Sequence, residues 1–363
     1  MSDDASFNPD WISPPGETVA TIMEERRLTP AELARRMKWQ TSDVEDLIRG
    51  RAAITVEFAQ QLADILGATR AFWTVRESQY QSDFARMLQE SASPESSTWL
   101  NDIPVNEMVK WGWVDAAADR VAKIAACLRF FGVSTVKAWR HTYSEGLLRV
   151  AFKTSPTFES DPGAVAAWLR QGEIEASKIE CDAWNPERFR QELPAIRELT
   201  REKDPDVFIP ELIRRCASCG VAVVVLRAPK KCRASGVSRF LTPTRPLLML
   251  SFRYLSDDHF WFAFFHEAGH LLLHGESSIF LEGEGRLSTV EEEEANTFAA
   301  NTLIPVEYHD ELLNLPANGV AIMRFARRVG VSPGIVVGQL QKRGILRWNQ
   351  FRNLKRPYTW TED

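Results

Sequence analysis

The chain has 363 residues, 44% hydrophobic and 26% charged, with 19 Gly and 19 Pro. At ~150 residues per domain this points to two or three globular domains, and it excludes a collagen, a coiled coil or a wholly disordered chain. Forty-nine acids against 44 bases leave a net charge of −5, so the chain as a whole is no polycation for nucleic acid. Five cysteines are too few for a disulfide scaffold and favour a reducing compartment, hence a cytoplasmic location. The start, MSDDASFNPD, is acidic without an apolar run, so no secretory signal is expected. The most apolar stretch, 259–273, carries three His and one Glu, so no membrane partner is expected either.

In chain order, residues 1–13 read as a disordered tail ending at Ser13-Pro14-Pro15-Gly16. Residues 14–92 hold short helices with clear punctuation. Thr29, Pro30 and Glu32 start one helix, Gly50 closes another, and Thr55 caps a third that Gly67 ends. The stretch 89–96, QESASPES, has linker composition. Residues 93–205 form a helical connecting region with breaks near Gly132 and 156–162. Strand patterns first appear at 221–226, 236–241 and 246–252. A long helix over 256–273 follows, opened by Asp257 and Asp258, whose charges suit a helix N-terminus. Another spans 291–303, and two or three more fill 306–341. The predicted architecture is α+β: an all-helical N-terminal module and helical middle, a domain with a small sheet at 206–341, and a basic, irregular C-terminal tail at 342–363.

The strongest chemical pattern is His266-Glu267-Ala268-Gly269-His270 inside the long helix. At 3.6 residues per turn, His266 and His270 stand one above the other on a single face. Two imidazoles so placed can share a Zn²⁺ at ~2.1 Å each, and Glu267 points to the adjacent edge, in reach of a proton on an attacking water. His274 puts a third imidazole on the stripe. A catalytic zinc needs a third protein ligand, and the next helix starts with four glutamates, Glu291 to Glu294, any of which the pattern alone permits. Asn296, one turn beyond Glu292, is placed to hydrogen-bond a liganding imidazole.

HEAGHLLLH followed by EEEANTFAANTLIP resembles the ImmA/IrrE family of zinc metallopeptidases, over 221–305 and more loosely to 341. The resemblance implies a zincin-like fold and one Zn²⁺ per chain, with His266, His270 and Glu292 as metal ligands and Glu267 as general base. It also implies a zinc endopeptidase acting on a repressor- or antitoxin-like regulatory protein in a stress, prophage or mobile-element response. Such a site needs an electrophile for the oxyanion, for which His274, Arg253 and Ser251 are candidates. An extended substrate peptide is expected to pair with an edge strand.

Pro15-Gly16-Glu17, Leu33-Ala34, Val44, Leu47, Gly50-Arg51, Leu62-Ala63 and Ala71-Phe72-Trp73 resemble the XRE helix-turn-helix of HigA-type antitoxins. The resemblance implies double-stranded DNA as a partner, read through Thr41, Ser42, Asp43 and Asp46, with Arg49 and Arg51 near phosphates. Yet residues 16–80 hold 9 bases and 10 acids, a net of −1, where a DNA reader is usually basic. Two uses therefore stand side by side: DNA binding, or a protein-docking and dimerisation module in a homodimer. The competing function is a DNA-binding transcriptional regulator or antitoxin whose metallopeptidase-like domain is a sensor. Three smaller features complete the reading. The run 324–356 carries nine Lys/Arg and no acid, and within it FARRVGVSPGIVVGQLQ resembles a second helix-turn-helix. Cys216-Ala217-Ser218-Cys219 has no partner pair at zinc-finger spacing, and is read as the buried side of a helix or a redox switch.

Overall fold

Proline at the first helical turn and a polar side chain just before it recur along this chain, and they set where its helices begin. In the computed structural model the described residues are 13–48, 50, 52–91, 94–117, 119–147, 160–275, 280–281 and 290–360. The chain divides into two compact units, 1–142 and 143–363, and the expected connecting region 93–205 runs across that division.

The first unit is helical. Helices α1 (Pro15–Glu25), α2 (Pro30–Met37), α3 (Thr41–Ile48) and α4 (Val56–Leu66) precede the long α5 (Arg70–Ser91). Thr29 and Thr55 accept the backbone N–H groups of Glu32 and Phe58, as their spacing predicts. The apolar positions Val19, Leu33, Val44, Leu47, Leu62 and Trp73 close on one core. Gly16 permits that packing, because a Cβ there would lie 1.8 Å from the Leu47 carbonyl oxygen. The expected linker at 89–96 is corrected. Helix α5 continues to Ser91 with Met87 wholly buried, and α6 (Pro94–Trp99) starts three residues later, residues 92–93 lying outside the described set. After α7 (Val105–Lys110), α8 (Arg120–Phe131) and α9 (Val136–Trp139), the rings of Trp99, Phe131 and Trp139 meet with centroids 5.5–6.1 Å apart.

The second unit is built on a four-stranded sheet in the order β1-β3-β2-β4, from β1 (Ala222–Val225), β2 (Gly236–Thr242), β3 (Arg245–Leu250) and β4 (Phe280–Leu281). β1 runs parallel to β3, while β2 is antiparallel to both β3 and β4. Successive side chains of β3 point to opposite faces. Leu248 and Leu250 enter the main core with Phe264 and Phe265 of α13 (Asp257–Leu273). Met249 points the other way, against Gly172 of α10 (Pro162–Ala176). A strand covered on both faces reads as a continuous apolar run, which is why 246–250 shows no alternation.

Helices α11 (Pro186–Glu198) and α12 (Pro205–Ala217) complete one side of this core. Further on come α14 (Val290–Leu303), α15 (His309–Leu313), α16 (Gly319–Val329) and α17 (Pro333–Lys342). The second helix-turn-helix expected at α16–α17 is not available for reading DNA. Its would-be reading helix buries Ile335, Val336, Val337, Gln339, Leu340 and Gln341. Gly334 and Gly338 lie directly against the carboxylates of Asp257 and Asp258.

The C-terminal segment is irregular, as expected, but it is strapped to the domain rather than loose. Tyr358 is buried among Phe208, Phe252 and Phe260. Arg356 donates to the carbonyls of Thr200 and Glu202, and Lys355 pairs with the buried Asp258 at 2.6 Å. Part of the basic run is thus spent inside the domain. The cysteine pair likewise packs inward. Burial pushes the Cys219 thiol up and Cys216 well up, which keeps both protonated and weakly nucleophilic and argues against a redox role.

Candidate metal centre

Helix α13 brings His266 and His270 to one face, both buried, with their Nε2 atoms 3.0 Å apart. Glu292, in the first turn of α14, faces both: its carboxylate oxygens stand 3.3 Å from His266 Nε2 and 3.6 Å from His270 Nε2. The close approach of the two helices is made by small residues inside the sequence motifs. A Cβ on Gly269 would come within 3.0 Å of the Phe298 ring and 3.3 Å of the Ala295 Cα, so a larger residue there would push α14, and Glu292 with it, away. His266, His270 and Glu292 form the one cluster of metal-ligating type found among the described residues.

The geometry and the donor set both fit a metal ion. A tetrahedral ion bound at about 2.1 Å spaces its donors roughly 3.4 Å apart, close to the 3.0 Å between the imidazole nitrogens and the 3.3 and 3.6 Å from them to one or the other Glu292 oxygen. Two imidazoles and a carboxylate are zinc-type ligands that leave a fourth position open. Burial, reinforced by the neighbouring His266 and His274 rings, pushes the His270 pKa down to about 2, so its ring is neutral at physiological pH.

A chain of contacts runs outward from this triad. His270 Nδ1 meets His274 Nδ1 at 3.0 Å, and His274 Nε2 meets Glu294 Oε2 at 3.0 Å. One assignment of protons satisfies the whole chain. Glu294 accepts from His274 Nε2–H, His274 Nδ1 accepts from His270 Nδ1–H, and His270 Nε2 is left with its lone pair toward His266 and Glu292. His274 thus bridges a candidate ligand and Glu294.

Glu267 is fully buried and turns to β2. Ser238 Oγ donates to its Oε2 at 2.6 Å, and Gly236 lets it lie flat on the strand, since a Cβ there would fall 2.8 Å from Glu267 Cγ. Ser238, Gly236 and Gly269 are the residues that sequence reasoning missed, and Glu294, offered only as one of four candidate ligands, meets His274 instead. The signal for Gly269 lay in the motif itself, whereas Ser238 becomes visible only once the sheet register sets it beneath the helix.

The remaining candidates sit elsewhere. Ser251 is buried and its hydroxyl donates to the Ala234 carbonyl at 2.7 Å, which uses its one proton. Arg253 donates to the Arg233 carbonyl and lies over the Tyr254 ring at 4.9 Å. Neither is thereby assigned to an oxyanion. Asn296 is exposed, and the outer nitrogen of His270 is taken by His274 instead. In the first unit Thr41, Ser42 and Asp43 are exposed at the start of α3. Asp43 Oδ2 accepts the Gln40 N–H at 2.9 Å, so this carboxylate caps its own helix. Arg49 and Arg51 lie outside the described residues.

The arrangement agrees with comparisons to known families. Residues 220–340 match a peptidase-family model described as the IrrE N-terminal-like domain, and residues 16–71 match one described as a helix-turn-helix domain. A search of curated proteins gives no match. No described helix is long and apolar enough to cross a membrane. The chain thus carries, in order, a region similar to helix-turn-helix domains and a region similar to the IrrE N-terminal-like peptidase domain, and the His-His-Glu cluster lies within the latter.

Proposed function

We propose that this protein is a cytoplasmic zinc endopeptidase that cleaves a repressor- or antitoxin-like regulatory protein and is brought to it by the helix-turn-helix domain. The observation that carries the reading is the convergence of His266, His270 and Glu292 on one point, with Glu267 buried on the same helix as the two imidazoles. His266, His270 and Glu292 would hold one Zn²⁺ per chain, and His274 with Glu294 would keep the His270 ring in its ligating orientation. A zinc ion bound there supplies Lewis acidity, lowering the pKa of water towards ~7 and polarising the scissile carbonyl. Glu267 then accepts the proton of the attacking water on its carboxylate and returns it to the leaving amine. Ser238 acts through Glu267, holding one carboxylate oxygen so that the base does not rotate away.

Replacing His274 with Phe removes the acceptor for His270 Nδ1–H. Zinc affinity, read by competition with a chromophoric chelator, is expected to fall about ten- to hundredfold. Glu294→Gln is expected to do less, because Glu294 is half exposed. Unchanged affinity in His274→Phe would remove the orienting chain from the account.

The function itself is tested by a proteome-wide search for new N-termini in the host, comparing wild type with Glu267→Gln under DNA damage and oxidative stress. A small set of cleavages confined to wild type supports the protease and names its substrate. Their absence, with zinc bound and the protein abundant, overturns it.

A second reading, a regulator that binds double-stranded DNA and uses the metallopeptidase-like domain as a sensor, is favoured by the helix-turn-helix match. Against it stand Asp43, Glu45 and Asp46 on α3, since duplex binding rests on neutralising phosphates. Docking to a similar module, in a homodimer or on the substrate, suits that acidic helix better. Promoter output that is unchanged by Glu267→Gln, together with salt-dependent binding to operator DNA, would favour the regulator.

A further inference from the structure

On the second unit, away from the His-His-Glu cluster, a cleft of about 610 Å³ opens between the loop that enters α13 and the C-terminal strap. Its size is within the usual range for small-molecule sites, about 300–1,000 Å³. Three features mark it out. The first is aromatic: Trp348 is 63% exposed, and the Tyr254 ring on the α13 side lies tilted at 33° against the His259 ring, with centroids 4.4 Å apart. The second is charge. Arg352 and Lys355 line the cleft and no acid does. Lys355 is paired with the buried Asp258 at 2.6 Å, so Arg352 is the lining group whose charge is left for a ligand. The third is backbone conformation. Among the described residues of this unit, the two non-glycine positions with left-handed backbone are Leu255, at φ 50°, and Phe351, at φ 54°. Leu255 lines the cleft and Phe351 precedes Arg352, so the strain is gathered at its two sides.

The geometry points to a binding site for a nucleoside phosphate. Trp348 offers a flat apolar face for a base, Arg352 offers a planar fork for phosphate oxygens, and Asn349 and His259 add polar atoms at the rim. A cation does not suit a wall where Arg352 carries the uncompensated charge, and a wholly apolar ligand would leave that charge unused. The site also has a mechanical relation to the metal cluster. His259 and His266 are seven residues apart on α13, two turns or roughly 10 Å along one rigid helix. Occupancy would brace the loop and strap from which that helix starts, where Tyr358 N–H bonds to the Leu255 carbonyl and Asp257 N–H to that of Arg356.

The test is calorimetric titration of the full-length, metal-free chain with ATP, GTP, adenosine and tripolyphosphate. At least one nucleotide is expected to saturate at one per chain with a Kd below about 100 µM. Adenosine and tripolyphosphate should each bind at least about tenfold more weakly than that nucleotide, because each keeps half of the recognition. Arg352→Ala and Trp348→Ala should each weaken binding by about tenfold or more at an unchanged melting temperature, as both side chains are exposed. Glu267→Gln should bind as wild type does, so the result stands apart from the question of proteolysis. No saturable binding of either nucleotide up to about 5 mM overturns the assignment. So does tripolyphosphate binding as tightly as the nucleotides, or affinity that survives both substitutions.

Discussion

Glu267→Gln is expected to retain one zinc per chain while lowering peptide cleavage by about 10²–10⁴-fold, the span usual for loss of a general base. The substitution is nearly isosteric, and Glu267 is not among the three converging donors, so the cluster keeps its geometry. Gln can still accept the Ser238 hydroxyl proton through its carbonyl oxygen, which preserves the packing on β2. What it cannot do is take a proton from water. The effect should therefore appear in kcat with little change in KM. A fall of less than about tenfold, with metal content equal to wild type, would mean that another group is the base.

Lys355→Met is expected to destabilise the second unit by about 3–5 kcal/mol, because it leaves the Asp258 carboxylate buried without its cation. Both side chains are largely out of water, at 14% and 7% exposure, so solvent does not replace the lost partner. Asp258 keeps the Ser256 hydroxyl and the favourable end of the α13 dipole, which offset part of the loss. For a unit of this size the melting temperature should fall by roughly 6–20 °C. The double variant Asp258→Asn/Lys355→Met should recover much of the loss, since no unpaired charge then remains. A shift below about 2 °C for Lys355→Met alone would show that the strap is held by its aromatic packing and not by this pair.

These two expectations rest on different kinds of legibility. His266, Glu267 and His270 lie within five residues, so helix periodicity alone places the two imidazoles on one face. The caps at Thr29 and Thr55, the three main strands and the two long helices are local features too, and the structure has them within a few residues of their expected positions. Local sequence misled where a later contact outweighed it. The polar stretch 89–96 is helical on either side of 92–93, because Met87 anchors the last turns of α5 in a core that the stretch itself does not reveal. The basic 324–356 run resembles a nucleic-acid face until Lys355 and Arg356 are seen to hold the strap to Asp258 and to the 200–202 turn.

By itself, then, the sequence determined the chemistry available: a helix with two imidazoles and a carboxylate at short spacing, a second helix rich in glutamates, and a helix-turn-helix pattern ahead of them. The family resemblance already singled out Glu292 among the four glutamates, and the crossing of α13 and α14, where Gly269 and Ala295 let the backbones approach, is what brings it to face the imidazoles. That Ser238 holds Glu267 follows from the sheet register, and that a cleft with Trp348 and Arg352 opens beside α13 follows from the path of the last residues. Periodicity along one element is a property of neighbouring residues, and the chain carries it in plain form. Contacts between elements far apart in sequence depend on side-chain volume and close packing across the whole core, and only the folded chain decides them.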